Sequence, residues 1–467
     1  MVQGVQIEVN DDDGVQYLIN TNPATDQIIS KVACTTLDEL ETKIVTSKAA
    51  QQKWRLKSPE ERVAVLQEAL REVATVQDQL VTLMVQEMGK PIGEAEEELE
   101  FAINKDEYFQ VLLESLQPQQ YENSTVVRHP YGVVAVMSPW NFPVDEILLL
   151  ALPSLASGNT VIVKPSEVVP ETGALLVKTL QSKLPHGVLQ LAQGAGDVGA
   201  ALVQHPGVSL VAMTGSTATG KKILQSASTQ LKRVILEMGG KDPMIVLEDA
   251  DLESAAKDAV AYSLCNSGQV CCSIERIYVA NSVYEQFQQL CAKEAASYKV
   301  GDGMDPSTNV GPLVSKLQQE QVQTQVQDAL EKGAKKLYQS EAVPTTGSFY
   351  PVTVLSDVQS EMKLFSAETF GPVVAMTSFD GTEEQAVILA NQTEYGLGSC
   401  VYTQDMAKAQ RIAAMIDAGQ VGINCYPLEG MDVQCPWVGH KQSGYGFHSG
   451  YAGFLQFSIP KTIVHKK

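Results

Sequence analysis

The chain has 467 residues, 44% of them hydrophobic and 19% charged, which describes a globular protein of two or three domains and excludes a fibrous or disordered one. Its formal net charge of −21, with no basic patch, argues against nucleic acid or an anionic membrane surface as a partner. The opening MVQGVQIEVNDDDG lacks a basic or apolar leader, no later window is apolar over the ~20 residues that cross a bilayer, and the eight cysteines are irregularly spaced, so a cytoplasmic protein with reduced thiols and no metal is expected.

Residues 36–115 read as helical. TLDE and SPEE form capping boxes, Thr36 with Glu39 and Ser58 with Glu61, the second with Pro59 at the first helical position. Apolar residues recur at three and four from Val63 to Val76, giving an amphipathic helix. From Gly132 to Leu247 short apolar runs alternate with helical windows: GVVAVM, TVIVK, GVLQL, VSLVAM, RVILEM and PMIVL. Continuous Val/Ile/Leu runs of this kind predict a parallel sheet covered on both faces, a doubly wound α/β domain. A second set after 270, RIYVA, FYPVTVL, GPVVAM and GSCVYT, lies between helices at 282–298, 315–332 and 383–391. Two such layers imply a cleft between them in which a ligand binds. Near the end, FLQFSI reads as an edge strand that seeks a partner.

Two glycine loops compete for a cofactor. GAGDVG, with Gly194, Gly196 and Gly199, matches G-x-G-x-x-G, but no Asp or Glu lies between Asp197 and Glu237 to hold a ribose ~20 residues on. A tight turn explains it as well. TGSTATGKK fits better, because Gly215 and Gly220 permit a close turn while Ser216 and Thr217 bring hydroxyls and amides to a helix start, where pyrophosphate is favoured. VIVKPSE sets Lys164 and Glu167 at the carboxyl end of a strand, where open α/β sheets bind ligands.

NSGQVCCSIER places Cys271 beside Cys272. An unassisted thiol is only about a few per cent thiolate near neutrality, so a nucleophilic cysteine needs a base or a lowered pKa. LEMGGK offers Glu237 at the end of an apolar strand, and SPWNFP offers Asn141, whose amide suits a developing oxyanion. No histidine neighbours these segments, which argues against a Cys/His protease.

Eight stretches in order, PWNFP, VIVKPSE, TGSTATG, LEMGGK, GQVCCS, ETFGP, NQTEYGL and PWVGHKQSG, resemble the NAD(P)-dependent aldehyde dehydrogenases that release free carboxylic acids, and the resemblance covers almost the whole chain. It implies an α/β fold with a Rossmann-type NAD-binding domain (1–114 and 132–239), an α/β catalytic domain (240–446) and a small oligomerisation element (115–131 and 447–467), with a homodimer or homotetramer expected. It implies that Cys271, two places after the Gln of G-Q-x-C, attacks the aldehyde carbon. Asn141 and the Cys271 N–H would hold the oxyanion, hydride would pass to the nicotinamide, and Glu237 would activate the water that hydrolyses the thioester. Lys164 and Glu167 resemble the adenosine-ribose contacts, Trp140 and Ser216 residues near the pyrophosphate, Glu368 the nicotinamide-ribose ligand, and Phe370 a residue packed near the ring. A carboxylate at 167 favours NAD, while Lys164 leaves NADP allowed. Cys272 reads as a small buried hydrophobe, the sharper alternative being a reversible disulfide with Cys271.

FPVDEILLLALP carries Asp145 and Glu146 where the family lines its aldehyde channel, NCYPLEGMD adds Glu429 and Asp432, and Cys265 precedes the nucleophile by six residues. With no arginine in VDEILLLALP, a neutral or amino aldehyde is favoured over an anionic semialdehyde, the plainer reading being that these acids face solvent. The alternatives are a succinic-semialdehyde-type enzyme, a coenzyme-A-acylating enzyme, which Glu237 disfavours, and a non-catalytic binding protein, which Cys271, Glu237 and Asn141 together disfavour. Val438 stands where the family usually has glycine, and GFHSGYAG lacks its usual Arg-Glu pair.

Overall fold

Five parallel strands, Val133–Met137, Thr160–Lys164, Leu189–Leu191, Val208–Gly215 and Arg233–Met238, build the first sheet of the computed structural model, which describes residues 6–9 and 14–466. Their spatial order is third, second, first, fourth, fifth, so the winding reverses between Val133–Met137 and Val208–Gly215. A crevice opens at such a switch point, outside the strands' carboxyl ends. The strands read as unbroken apolar runs because successive side chains serve two cores. Val134, Val136, Val161, Val163, Leu210 and Ala212 enter one, whereas Val133, Ala135, Met137, Ile162, Val211 and Met213 enter the other. Gly444–Tyr445 adds a short antiparallel strand beside Arg233–Met238.

The second sheet has seven strands, in the order Lys335–Gln339, Thr353–Ser356, Val373–Phe379, Ile274–Ala280, Asp242–Val246, Gly398–Tyr402 and Gln420–Ile423. All neighbours are parallel except the first pair. PMIVL, grouped by its pattern with the first set of strands, belongs here, at Asp242–Val246. A fully buried strand looks the same in either sheet, and only residues 239–241 separate the two sheets at this crossing. The crossing needs glycine, since a Cβ at Gly240 would lie 2.5 Å from the Cys271 carbonyl oxygen.

Helices Leu37–Trp54, Pro59–Ala74, Gln77–Met88, Ile92–Ile103 and Asp106–Leu116 fill the region after residue 36, and both capping boxes are formed. A third sheet pairs Ser124–Pro130 antiparallel with Gln119–Tyr121 on one side and Ser458–Val464 on the other. The expected edge strand therefore starts later than FLQFSI suggests. Leu455–Phe457 is a 3-10 turn, because Phe454 and Phe457, three apart, both reach the first core, as one face of a helical turn does.

Candidate active site

The segment before Cys271 is held in a conformation that it would not adopt alone. Asn266, Ser267 and Gly268 take φ of 50°, 60° and 74°, left-handed values that cost a non-glycine residue about 1–3 kcal/mol. Their neighbours fix them. The Asn266 side-chain amide donates to the carbonyls of Asn141 (3.1 Å) and Gln269 (3.2 Å), its backbone N–H donates to Glu94 Oε2 (2.7 Å), and Ser267 Oγ donates to the Gly311 carbonyl (3.1 Å). A Cβ at Gly268 would sit 2.1 Å from the Gly371 carbonyl oxygen, so the turn abuts the ETFGP loop. Asn141, at the carboxyl end of Val133–Met137, donates from Nδ2 to the Gln269 carbonyl at 3.0 Å. That bond orients its amide beside the Cys271 loop.

Cys271 is half-buried and Cys272 buried, and all eight cysteines carry free thiols. The Cys271 carbonyl oxygen lies against Gly240, three residues after Glu237, which brings the Cys271 and Glu237 segments together. The Cys271 thiol is pushed well above the ordinary value, first by the Cys272 hydrogen bond, then by burial and by Glu237. Glu237 is buried near the end of Arg233–Met238, with Oε1 3.5 Å from the Trp437 indole nitrogen and Oε2 without a partner. Burial, and next the nearby Glu146, hold its carboxyl well above the usual carboxylate range, while bonds from Cys271 and Trp437 oppose that shift. Carboxyl and thiol thus both hold their protons more tightly than usual, beside a side-chain amide donor.

The neighbouring part of the cleft carries the remaining expected residues. Trp140 and Phe370 meet edge to face at 5.4 Å. Phe370, at φ 54°, is held by a buried pair: Lys241 Nζ lies 2.5 Å from Glu275 Oε2, and the Glu275 carboxylate accepts from the N–H groups of Thr369 (2.8 Å) and Phe370 (3.0 Å). Glu368 accepts from the Gly240 N–H at 3.2 Å, and burial, then Glu275, push its carboxyl up to about 8. A Cβ at Gly239 would fall 2.2 Å from its Oε1. Lys164 and Glu167 pair at 3.1 Å. Ser216 caps the helix Thr217–Ala227, accepting from the Thr219 N–H at 3.3 Å, while Gly220 lets that helix approach the sheet, since its Cβ would meet the Met238 sulfur at 2.3 Å. Gly215 ends the strand before Ser216. The GAGDVG turn lies in this crevice too, with Gly199 facing the Lys164 side chain.

Of the suggested acidic lining, Asp145 has a counter-charge, whereas Glu429 and Asp432 accept hydrogen bonds from neutral donors. Asp145 pairs with Lys105 at 3.1 Å, exposed Glu429 accepts from the Tyr262 hydroxyl, and Asp432 accepts from the Gln434 N–H at 2.8 Å. Cys265 is half-buried, its thiol raised by burial and then by Glu94. Glu146 accepts from the Thr214 hydroxyl at 2.7 Å. Thr214, Trp437 and Glu94 escaped the sequence reading as contributors to the site. Thr214 immediately precedes the Gly215 already singled out, and Trp437 lies within PWVG, but nothing local to either ties it to Glu237.

The chain matches the aldehyde dehydrogenase family over residues 9–463. It is 34% identical over 453 residues to betaine aldehyde dehydrogenase 2 of Rhizobium meliloti (strain 1021), covering 96% of this chain and 93% of that one. To the succinate semialdehyde dehydrogenase of Acinetobacter baylyi it is 34% identical over 433 residues, covering 91% and 89%. Among solved structures, aldehyde dehydrogenase C from Pseudomonas syringae, a mutant in complex with NAD+ and octanal, superposes with a TM-score of 0.91 at 32% identity, over 96% of this chain and 93% of that one.

Proposed function

The chain belongs to the aldehyde dehydrogenase family, and on that footing we propose that it oxidises an aldehyde to a carboxylic acid through a thioester on Cys271, with Glu237 as the base that activates water. The observation that carries this is the packing of the Cys271 carbonyl against Gly240, three residues after Glu237, beside the Asn141 amide bonded to the Gln269 carbonyl. A raised carboxyl suits the task, because a stronger proton affinity makes the ionised form a stronger base. Ionised Glu237 takes the thiol proton as sulfur attacks the carbonyl carbon and passes it to solvent before the thioester is hydrolysed. Asn141 Nδ2 has a second N–H besides the one given to Gln269, and with the Cys271 N–H it offers two donors to the oxyanion. Glu237 then takes a proton from the water that cleaves the thioester.

NAD, or NADP, supplies the two-electron acceptor when bound, consistent with the cofactors named for solved relatives. The residues fit it: glycines at 215 and 220 admit backbone where Cβ atoms would collide with Met213 and Met238, and Ser216 opens a helix at a strand's carboxyl end. Glu167 lies where a ribose would be held and disfavours a 2′-phosphate, though its pairing with Lys164 softens that preference. On the substrate, cancellation of Asp145 by Lys105 removes one acid that an ammonium would need, so a neutral aldehyde is the better-supported class. We extend the proposal to a homo-oligomer joined through Ser458–Val464, whose outer edge has no strand beside it among the described residues.

The test is reduction of NAD and, separately, NADP by the purified protein with a neutral, a cationic and a carboxylate-bearing aldehyde, each with and without coenzyme A, beside Cys271→Ala. Reduction with the neutral aldehyde, independent of coenzyme A and abolished in Cys271→Ala, is expected. Full activity in that variant would overturn the assignment, and a clear preference for succinic semialdehyde would overturn the substrate class.

A further inference from the structure

Glu146 is a half-buried acid to which the reaction above gives no task. It lies in the first turn of the helix Asp145–Ala156, and its carboxyl Oε2 accepts from Thr214 Oγ1 at 2.7 Å. Thr214 and Glu237 are directly paired residues of adjacent parallel strands. Their side chains leave the same face of the sheet from backbones about 4.8 Å apart. Thus one buried hydroxyl links the strand position of Glu237 to a second carboxyl.

The other charged and titratable groups here are accounted for. Asp145 pairs with Lys105, while Glu98, on Ile92–Ile103, binds Lys90 at 2.5 Å and accepts from the N–H groups of Val144 and Asp145. Cys271 and Cys272 face Glu237 from the nucleophile loop, and Trp437 from its own short strand. The two glutamates differ in their donors. Burial, then Asp145, push the Glu146 carboxyl up to about 8 against the opposing Thr214 hydroxyl bond, whereas Glu237 Oε2 is buried with no partner, which favours protonation there still more. Two such acids cannot both be ionised cheaply, so they titrate as a pair.

Resting on the reading of Glu237 as the base, we propose that Glu146 is a positioning residue for it: anchored by Thr214, it is the member of the carboxyl pair that ionises first as pH rises, and its charge then makes Glu237 the stronger base. Once Glu146 has ionised, the pair's remaining proton rests on Glu237, and no other group is consumed. A lone glutamate at 237 would lose its proton at lower pH and pull more weakly on water.

The pH profile of acyl-enzyme hydrolysis tests this. The acid limb is expected to move down by about one pH unit in Glu146→Gln, because removal of a like charge lowers the proton affinity of its neighbour. Thr214→Val, which keeps the shape but frees Glu146 to compete for the proton, should move the limb the same way, and Thr214→Ser should keep the limb in its wild-type position. Limbs that coincide in wild type, Glu146→Gln and Thr214→Val would overturn the proposal. Should Glu146→Gln fail to fold, the Val and Ser variants at 214 carry the comparison. Persistence of the limb in Glu237→Gln would overturn instead the reading of Glu237 as the base. Infrared difference spectra that follow the protonated carboxyl of Glu237 against Glu237→Gln give the same comparison without any turnover. There, titration of Glu237 at unchanged pH in Glu146→Gln would overturn the pair.

Discussion

The proposed mechanism gives Asn141 and Glu237 separable tasks, and substitutions should separate them. Asn141→Ala removes a side-chain donor to the oxyanion and should lower kcat by about 10²–10³-fold, as loss of one such donor does elsewhere. Stopped-flow NADH formation would read it, and an unchanged rate would remove Asn141 from the oxyanion site. The sequence makes Cys271, Glu237 and Asn141 visible because each stands in a short motif. It hides Thr214, since its link to Glu237 depends on the register of two strands. It overstates Asp145 for a similar reason: its partner Lys105 is remote from it in the chain.

The turn that presents Cys271 is the element on which the site depends most. Gly268→Ala would bring both a left-handed residue (φ 74°) and a Cβ 2.1 Å from a backbone oxygen, so unfolding free energy should drop by about 1–3 kcal/mol and activity should fall with it. Gly333 is the control, since its φ is 103° but nothing lies within 4 Å of its Cβ. Gly333→Ala should cost only the backbone term, about 1 kcal/mol, with activity retained. Equal losses of activity in the two variants would show that the contact with Gly371 does not matter. At this scale the local chemistry is well written into the sequence: both capping boxes form, and the helices and most strands fall where periodicity puts them. Sheet membership is not. The run at Asp242–Val246 carries no mark of which sheet it joins, and FLQF is apolar for reasons of helical packing.

For the whole molecule, several buried and half-buried carboxyls should govern stability against pH. Burial pushes Glu87, Glu94 and Asp242 up to about 7 and Glu368 up to about 8. Each is raised above its unfolded value of about 4, so the folded state binds more protons. Their stabilising contribution is full below the unfolded pKa and is lost as pH rises through the folded one. The net charge of −21 adds repulsion in the same direction. Calorimetry should therefore show Tm falling between about pH 5 and 8, and a rising Tm would contradict this. The outer edge of Ser458–Val464 governs assembly in our proposal. Ile463→Lys, on an exposed position of that strand, should shift sedimentation toward the monomer, and an unchanged sedimentation coefficient would place the subunit contact elsewhere. The most direct test of the account is the intact mass and peptide map of Glu237→Gln after one turnover with a neutral aldehyde and NAD. An acyl group retained on the peptide at Cys271, and absent from Cys271→Ala, is the predicted result. No adduct, or an adduct on Cys272 or Cys265, would contradict it.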